Sequence, residues 1–457
     1  MQRLLSQRIG LICLLLMSWG AFANEPIVYT VMGPAGEGVL RWVTSKPTCP
    51  EVSWDQQVPS RMAMRAGLEE VIMRSGIQAD QKPAKFELSA CEAVWPKGVK
   101  SARIENTVTR APPEKFQRIL IIADTGCRMK ASENAFQDCN DAMAWPFGQI
   151  VQSALQKQPD LVVHIGDIHY RESPCPADRM GCRNSPWGYG SDTWQADFFK
   201  PAKALLQSAP WLFVRGNHES CARAGQGWFR YIDPLPWRSE RSCDLTENDG
   251  VADFSRPYAL PINDHSQFLI FDSSGTAGNS LSPDSVMFSN YQRQWREVTQ
   301  LAGTKAHSIF LSHHPLLAVA PAKTTSDPKA GGNRGLLSVV TDGQPDRAWF
   351  EKLSYLMHGH IHAFEALTFK SQHPSSFVLG NSGSMMEGVL PAVLPSGFEV
   401  APHAIVESLT SQPGYGFALL EISDLVNSPW SLTEFDVQGR ALHVCTLHNH
   451  KSACIAP

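Results

Sequence analysis

The stretch LVVHIGDIHY, residues 161–170, carries both the fold signal and the chemical signal of this chain. Its first half is a short and mostly apolar run, which is typical of a strand buried on both faces of a sheet. Its second half places Asp167 and Tyr170 directly after that strand. Because ligands of α/β proteins gather at the carboxyl ends of strands, polar residues are expected after the neighbouring strands too.

Apolar runs of the same kind recur from residue 118 onward, with helical segments between them. The predicted strands cover residues 119–123, 161–165, 211–214, 268–271, 308–311 and 355–357. Between the first two, Phe147, Ile150, Val151, Ala154 and Leu155 follow helical spacing. Further strands are predicted at 417–422 and 430–435. Alternating strands and helices predict a layered α/β core.

Residues 24–113 differ from this core. Short apolar runs at 27–32, 39–43 and 102–108 predict strands, and a helix is predicted over 61–74. Pro112 and Pro113 mark a boundary. We therefore predict a small β-rich domain over 24–113 and a catalytic domain over 114–457, and an adhesive or scaffolding role for the smaller part stays open.

The bulk composition fits a globular protein. Hydrophobic residues make up 43% and charged residues 18% of the 457 positions, which supplies ample core material. The formal net charge is -4, so the basic surplus of a nucleic-acid-binding protein is missing. We expect no nucleic-acid partner.

Residues 1–23 have the features of a secretory signal peptide. Two arginines precede an almost wholly apolar run at 9–17, and Ala21 and Ala23 are small residues at the cleavage offsets. We predict cleavage before Asn24, because the apolar run is shorter than the ~20 residues of a membrane-spanning helix. An uncleaved membrane anchor is the alternative. The mature protein is expected to be periplasmic or secreted, with no membrane span.

Cysteine usage agrees with export. Of the 11 cysteines, all but Cys13 lie outside the signal segment, and an even number in an exported chain indicates disulfides. Zinc ligation by cysteine is the competing interpretation, but no pair of CxxC units occurs. The simplest pairing joins sequence neighbours, although sequence alone leaves other pairings open: Cys49 with Cys91, Cys127 with Cys139, Cys175 with Cys182, Cys221 with Cys243, and Cys445 with Cys454.

Metal-competent side chains follow five of the predicted strands. They are Asp124 in IIADTG (121–126), Asp167 and Tyr170 in GDIHY (166–170), Asn217 and His218 in GNHE (216–219), His313 and His314 in FLSHHP (310–315), and His360 and His362 in GHIH (359–362). Each motif alone has a structural explanation, such as a helix cap or a turn. Burying all of these polar side chains without a cation would cost free energy on the order of several kcal/mol. Their oxygen and nitrogen atoms suit iron, manganese or zinc.

The ordered set resembles the motifs of the calcineurin-like metallophosphoesterases, in their purple acid phosphatase branch. The match spans Asp124 to His362, about half of the chain. It implies a β-sandwich flanked by helices, with two metal ions at one edge. Ala123 departs from the family, which usually has Gly before the first Asp. The motifs do not place the additional substrate-contacting histidines of the plant enzymes, so substrate preference does not transfer.

The resemblance implies a ligand set. Asp124, Tyr170 and His362 would hold the first metal, Asn217, His313 and His360 the second, and Asp167 would bridge both. His313 is preferred over His314 because the family has a His-x-Pro spacing. The phenolate of Tyr170 implies iron(III) at the first site, with iron(II), zinc or manganese at the second. An ordinary binuclear site with Tyr170 packed beside Asp167 is the alternative.

The implied activity is hydrolysis of small phosphomonoesters by in-line attack of a metal-activated water. His218 would contact the phosphate and protonate the leaving alkoxide. Glu219 would either orient a histidine or act as a structural cap, and His169, His314 and His358 are candidates for supporting positions. A phosphodiesterase or nucleotidase of the same superfamily is the enzymatic alternative. A non-catalytic metal- or phosphate-binding protein is the alternative from a different class.

Overall fold

A computed structural model describes residues 25–71, 82–322, 328–342, 348–426 and 428–457. The predicted signal peptide lies outside the described residues. Among those that are described, no helix combines the length and the apolar character needed to cross a bilayer.

The N-terminal part of the chain is rich in short strands. They are β1 (Ile27–Met32), β2 (Gly38–Thr44), β3 (Glu51–Trp54), β4 (Ser60–Arg61), β5 (Ala63–Ala66), β6 (Glu69–Val71), β7 (Ala84–Phe86), β8 (Ser89–Val94), β9 (Ser101–Ile104) and β10 (Thr107–Arg110). The helix predicted over 61–74 is wrong for its described residues, which form β4, β5 and β6. The single strand predicted over 102–108 is a hairpin instead, because the chain turns at Glu105, where φ is 48°.

The remaining strands belong to the layered core and its C-terminal extension. They are β11 (Arg118–Ile122), β12 (Met129–Lys130), β13 (Ala135–Phe136), β14 (Leu161–Ile165), β15 (Trp211–Val214), β16 (Tyr258–Pro261), β17 (Ser266–Phe271), β18 (His307–Ser312), β19 (Val319–Ala320), β20 (Lys329–Ala330), β21 (Tyr355–His358), β22 (Phe364–Phe369), β23 (Ser376–Leu379), β24 (Val406–Gln412), β25 (Gly416–Glu421), β26 (Trp430–Asp436), β27 (Ala441–His448) and β28 (Lys451–Ile455).

Helices fill the connections between these strands. The α-helices are α1 (Phe147–Leu155), α2 (Ser191–Trp194), α3 (Lys200–Leu206), α4 (Gly225–Gly227), α5 (Asp249–Ala252), α6 (Val286–Ala302) and α7 (Arg334–Val340). Two π-helical turns cover Gln195–Phe199 and Trp228–Ile232. Short 3₁₀ turns cover Pro34–Gly36, Ala131–Glu133, Asn217–Glu219, Ser239–Arg241 and Thr246–Asn248.

Two large sheets form the sandwich. The first has 11 strands in the order β28-β27-β26-β25-β11-β14-β15-β1-β2-β8-β5, and the second has 7 strands in the order β16-β17-β18-β21-β23-β22-β24. Between them, residues such as Ile121, Val163, Leu311 and Met357 pack into one apolar core. Helices α1 and α3 cover the outer face of the first sheet, and α6 and α7 cover that of the second. The fold is therefore the predicted layered α/β sandwich, with a β-rich N-terminal region.

The N-terminal region contributes directly to the first sheet. Strand β1 pairs in parallel with β15 and antiparallel with β2, so β1, β2, β8 and β5 continue the sheet beyond its parallel centre. The other N-terminal strands pack as a small sheet, β10-β9-β3-β4. This region thus shares its main sheet with the rest of the chain.

Five disulfides each join neighbouring cysteines: Cys49–Cys91, Cys127–Cys139, Cys175–Cys182, Cys221–Cys243 and Cys445–Cys454. Three of them begin shortly after predicted site residues. Cys127 follows Asp124, Cys175 follows Tyr170, and Cys221 follows His218. Closing these loops covalently lowers the entropy of the unfolded chain. This stabilises the folded state by roughly 2–4 kcal/mol per bridge.

Glu365 in β22 is a buried carboxyl group with little hydrogen bonding. Its Oε2 accepts a hydrogen bond from the Val319 N–H at 2.9 Å, and its Oε1 has no partner among the described residues. Burial raises the pKa of Glu365 from an ordinary value of 4.5 to about 8. The folded protein therefore keeps this group protonated at pH values where the unfolded chain ionises it.

We expect this raised pKa to make the folded state less stable as the pH increases. Between the unfolded value of 4.5 and the folded value of about 8, the free energy of unfolding should lose about 1.4 kcal/mol per pH unit from this group. Glu365→Gln keeps an oxygen for the Val319 N–H and cannot ionise, so it should flatten that part of the dependence. Urea unfolding of both proteins across this pH range checks the difference, and parallel pH dependences would contradict it.

Candidate metal centre

The predicted site residues meet at one edge of the sandwich because the strands before them are parallel neighbours. Strands β11, β14 and β15 lie side by side in the first sheet, and β17, β18 and β21 do so in the second. Their carboxyl ends point to the same edge. The loops after β11, β14, β15, β18 and β21 there bring together Asp124, Asp167, Tyr170, Asn217, His313, His360 and His362.

The phenol of Tyr170 is the centre of one cluster. Its Oη lies 2.7 Å from Asp124 Oδ1, 3.0 Å from Asp167 Oδ2 and 2.8 Å from His362 Nε2. The phenol, both carboxyl groups and the imidazole are buried. These four side chains are the predicted first-metal ligands together with the predicted bridge.

A second cluster forms around Asn217. The side-chain oxygen of Asn217 lies 3.1 Å from His313 Nε2 and 3.1 Å from His360 Nδ1. His313 Nε2 is also 3.0 Å from Asp167 Oδ2, the atom that contacts Tyr170 in the first cluster. One oxygen of Asp167 therefore touches members of both clusters.

The backbone is held in an uncommon conformation at three of these residues. Asp124, Asp167 and His360 have φ values of 55°, 55° and 71°, in the left-handed region that non-glycine residues rarely adopt. Gly166, at φ +83°, precedes Asp167, and a Cβ atom there would lie 2.6 Å from His313 Nδ1. Strain of this kind persists where surrounding contacts fix the chain, and it clusters at functional sites.

Backbone carbonyls orient two of the imidazoles. His313 Nδ1 lies 2.8 Å from the Ile165 carbonyl oxygen, and His362 Nδ1 lies 2.6 Å from the Met385 carbonyl oxygen. In each ring an Nδ1–H that donates to the carbonyl leaves Nε2 facing the cluster. Metal-ligating histidines are commonly held by a hydrogen bond of this kind.

The electrostatics of the site favour a bound cation. Neither Asp124 nor Asp167 forms an ion pair with a lysine or arginine in the part of the chain that is described. Burial, Asp124 and Asp167 raise the pKa of Tyr170 well above its ordinary range. Burial alone would lower the pKa of His313, but Asp167 and Asp124 raise it to about 9. Two buried carboxyl groups thus attract positive charge here, and the oxygen and nitrogen donors fit first-row metal ions.

His218 lies beside the two clusters and is held by the loops around it. Its backbone N–H donates to Asp167 Oδ1 at 2.8 Å, and its ring lies 3.8 Å from the Tyr170 ring, centroid to centroid. Its Nδ1 is 2.9 Å from Glu172 Oε1, and its Nε2 is 3.7 Å from Asp167 Oδ2. Burial and Arg223 lower the pKa of His218 to about 4, although Asp167 and Glu172 oppose this shift.

Glu219 acts as a cap for the loop after β14 in this structure. Its carboxylate accepts hydrogen bonds from the backbone N–H groups of Asp167, Ile168 and His169, at 2.9–3.0 Å. It also accepts the Gly216 N–H at 3.2 Å. These contacts fit the interpretation of Glu219 as a structural cap. They hold the backbone at Asp167 and do not involve an imidazole.

The remaining histidines near the motifs occupy buried positions behind the clusters. His314 Nδ1 contacts the Ser273 hydroxyl at 3.1 Å, and His358 Nδ1 contacts the Ser312 hydroxyl at 3.0 Å. His169 packs between Tyr189 and Trp194, and both of its ring nitrogens lack partners among the described residues. Of these three rings, His314 comes closest to a predicted ligand, at 4.3 Å from the His360 ring centroid.

Three residues that position the site do not belong to any motif in the sequence. Asp197 is fully buried and accepts the backbone N–H groups of Cys127 and Tyr170, at 3.0 and 2.8 Å, which joins two site loops. Glu172 and Arg223 form an ion pair beside His218. The sequence around Asp197 and Arg223 has no spacing or strand-end signal that would single these residues out.

Comparison with known proteins places the fold in a family. Residues 117–364 match the sequence profile of the calcineurin-like phosphoesterases, so the chain belongs to this family. The family consists of metal-dependent phosphoester hydrolases that bind two metal ions. No curated protein sequence matches the chain.

Solved structures agree on the fold. The purple acid phosphatase PPD1 from yellow lupin (Lupinus luteus) seeds is similar at 14% identity and a TM-score of 0.52, over 94% of this chain and 74% of that one. PhoD is similar at 10% identity and a TM-score of 0.53, over 96% of this chain and 93% of its own. At such identities the likeness describes the arrangement of the chain alone.

Proposed function

We propose that this protein is an exported phosphomonoesterase of the purple acid phosphatase type. The observation that supports this most strongly is the position of Asp167 Oδ2, within 3.0 Å of both Tyr170 Oη and His313 Nε2. A carboxylate that touches two separate donor clusters is suited to bridge two cations. The proposed ligands of the first metal are Asp124, Tyr170 and His362, and those of the second metal are Asn217, His313 and His360.

We assign iron(III) to the Tyr170 position, and iron(II), zinc or manganese to the other. A phenolate is a hard anionic donor, and Tyr170 is surrounded by two carboxyl groups that would strengthen binding of a trivalent ion. When bound, the two ions would act as Lewis acids on the phosphate and would lower the pKa of a shared water. A violet colour from a tyrosinate-to-iron(III) band is expected in the purified protein.

The chain's own residues supply the remaining chemistry. His218 is assigned to contact the substrate phosphate and to deliver a proton to the leaving oxygen. Its position supports this role, because Glu172 contacts Nδ1 while Nε2 faces Asp167. Glu219 and Asp197 hold the loops that carry Asp167 and Tyr170, so these donors need little rearrangement when substrate binds.

Export is supported by the disulfides and by the sequence of residues 1–23. Five disulfides are rare in a reducing compartment and common in secreted or periplasmic proteins. Several of them tie down loops next to the candidate metal centre. We therefore propose that the mature protein begins near Asn24 and works outside the cytoplasm.

Two chromogenic esters test the proposed substrate class. We expect the metal-loaded protein to hydrolyse p-nitrophenyl phosphate with a kcat/KM at least about 100-fold above that for bis(p-nitrophenyl) phosphate, since two metal ions and a nearby arginine favour a dianionic phosphate. Equal or faster hydrolysis of the diester would contradict the monoesterase proposal and favour a phosphodiesterase. No hydrolysis of either ester by protein with a full metal content would favour a non-catalytic binding protein.

A further inference from the structure

Arg223 stands beside the candidate metal centre in a fixed orientation. Its Nε donates to Glu172 Oε2 at 3.2 Å, and its Nη2 donates to Glu172 Oε1, so one edge of the guanidinium is held by both carboxylate oxygens. Glu172 is itself buried and accepts a hydrogen bond from the Tyr189 hydroxyl at 3.2 Å. Side-on pairing of this kind fixes the plane of the guanidinium.

His218 lies against Nη2, the same nitrogen that donates to Glu172. Arg223 Nη2 is 2.6 and 2.7 Å from the two ring nitrogens of His218. Its Nη1 makes no hydrogen bond to any residue that the structure describes. The side chain is 17% exposed, whereas Glu172 is fully buried. An arginine anchored on one edge and open on the other can bind an anion with its unused donor.

A second arginine near the site shows the contrast. The Cζ atom of Arg128 lies 6.0 Å from the Tyr170 ring centroid. Its Nη1 donates to Glu387 at 2.9 Å and its Nη2 donates to Glu133. Both terminal nitrogens of Arg128 are therefore satisfied by carboxylates, while Arg223 keeps one terminal nitrogen unused.

We propose that Arg223 binds a phosphoryl oxygen of the substrate through Nη1, next to His218. This inference rests on the proposed phosphomonoesterase function and names a residue that selects for the doubly charged ester. Guanidinium groups suit phosphate oxygens because they combine a permanent charge with a planar array of donors. A monoester dianion carries more charge for Arg223 to neutralise than a diester monoanion does, so the contact favours monoesters.

Variants of Arg223 test this inference in the full-length, metal-loaded protein. For Arg223→Ala we expect kcat/KM for p-nitrophenyl phosphate to fall about 100-fold, as for loss of one charged donor at a reacting group. For bis(p-nitrophenyl) phosphate the fall should stay below about 10-fold. Binding of inorganic phosphate, measured by isothermal titration calorimetry, should weaken at least about 10-fold. Arg183→Ala, at an exposed arginine directly after Cys182, is the matched control and should change none of these values.

Two further measurements separate a binding role from a structural one. Millimolar guanidinium should restore part of the activity of Arg223→Ala, and Arg223→Lys should retain an intermediate phosphate affinity because it keeps the charge. The inference is overturned if phosphate affinity is unchanged in Arg223→Ala, or if both variants lose metal or thermal stability along with activity. If the wild type hydrolyses only diesters, the proposed function fails, whereas the phosphate-binding comparison still judges Arg223 by itself.

Discussion

Replacement of His218 by alanine is expected to lower kcat by about 10³-fold while both metal ions stay bound. The expected loss follows from the proposed role of the imidazole in protonating the leaving oxygen. The metal ions should stay because the contact that His218 makes to Asp167 Oδ1 comes from the backbone N–H, at 2.8 Å, and not from the ring. Steady-state kinetics and elemental analysis of the same preparation check both parts.

The choice of substrate sharpens this test. An acid that protonates the leaving group matters most when that group is a poor one, so His218→Ala should slow an alkyl phosphate more than p-nitrophenyl phosphate. His443→Ala is a suitable control, since His443 on β27 pairs with Glu434 on β26 and has no contact with the metal centre among the described residues. Unchanged turnover in His218→Ala, or an equal loss with both substrates, would rule out the assigned role.

The parallel strands were predictable from the sequence because their burial leaves a simple signal. Every residue of β14 and β15 is buried, and their bounds coincide with the predicted strands at 161–165 and 211–214. Parallel strands in a sandwich are covered on both faces, so they appear as short apolar runs. The polar motifs that follow them could be expected to meet, since such strands end at one edge of the sheet.

Other local structure depended on long-range contacts. The stretch after Ser60 has helical spacing, yet Ala63–Ala66 forms an edge strand against β8, because pairing with the main sheet outweighs a weak local preference. The segment at 102–108 mixes apolar and polar residues and is predicted as one strand, but Glu105 adopts a positive φ and folds it into a hairpin. Neither outcome has a distinctive residue pattern.

Attachment of the N-terminal region to the core could not be predicted either. Arg41 is wholly buried, pairs with Glu92, and donates to the Asp233 carbonyl at 2.6 Å. Arg65 donates to the Phe229 carbonyl at 2.8 Å and to Glu92 at 2.9 Å. These contacts join β2, β5 and β8 to a segment that follows the Asn217 loop. The contacts to Asp233 and Phe229 join residues that are 192 and 164 positions apart, so no local pattern reveals them.

The supporting residues of the site were hidden for the same reason. The motifs identified the side chains at the strand ends, and the structure brings all seven together. Asp197 contributes through hydrogen bonds to backbone groups of distant loops, and Arg223 through its pairing with Glu172. A charged residue in a helix or a turn looks like an ordinary surface residue until its partners are known.

Asp167→Asn is expected to have the largest effect on metal binding. The substitution keeps the size of the side chain and an oxygen that can accept the His218 N–H, but it removes the charge that contacts both clusters. We expect at least one of two ions to be lost and kcat to fall by about 10³-fold or more, because activation by metal ions contributes several kcal/mol. Asp264→Asn, an exposed carboxylate paired with Lys115, is the control.

Elemental analysis of the purified wild type and of Asp167→Asn tests most directly whether seven side chains hold two cations. We predict about two first-row metal ions per wild-type chain, with iron among them, and a clear deficit in Asp167→Asn while the Asp264→Asn control matches the wild type. A wild-type protein that hydrolyses phosphate esters at full rate without bound metal, or an Asp167→Asn protein that retains both ions and full turnover, would contradict this claim.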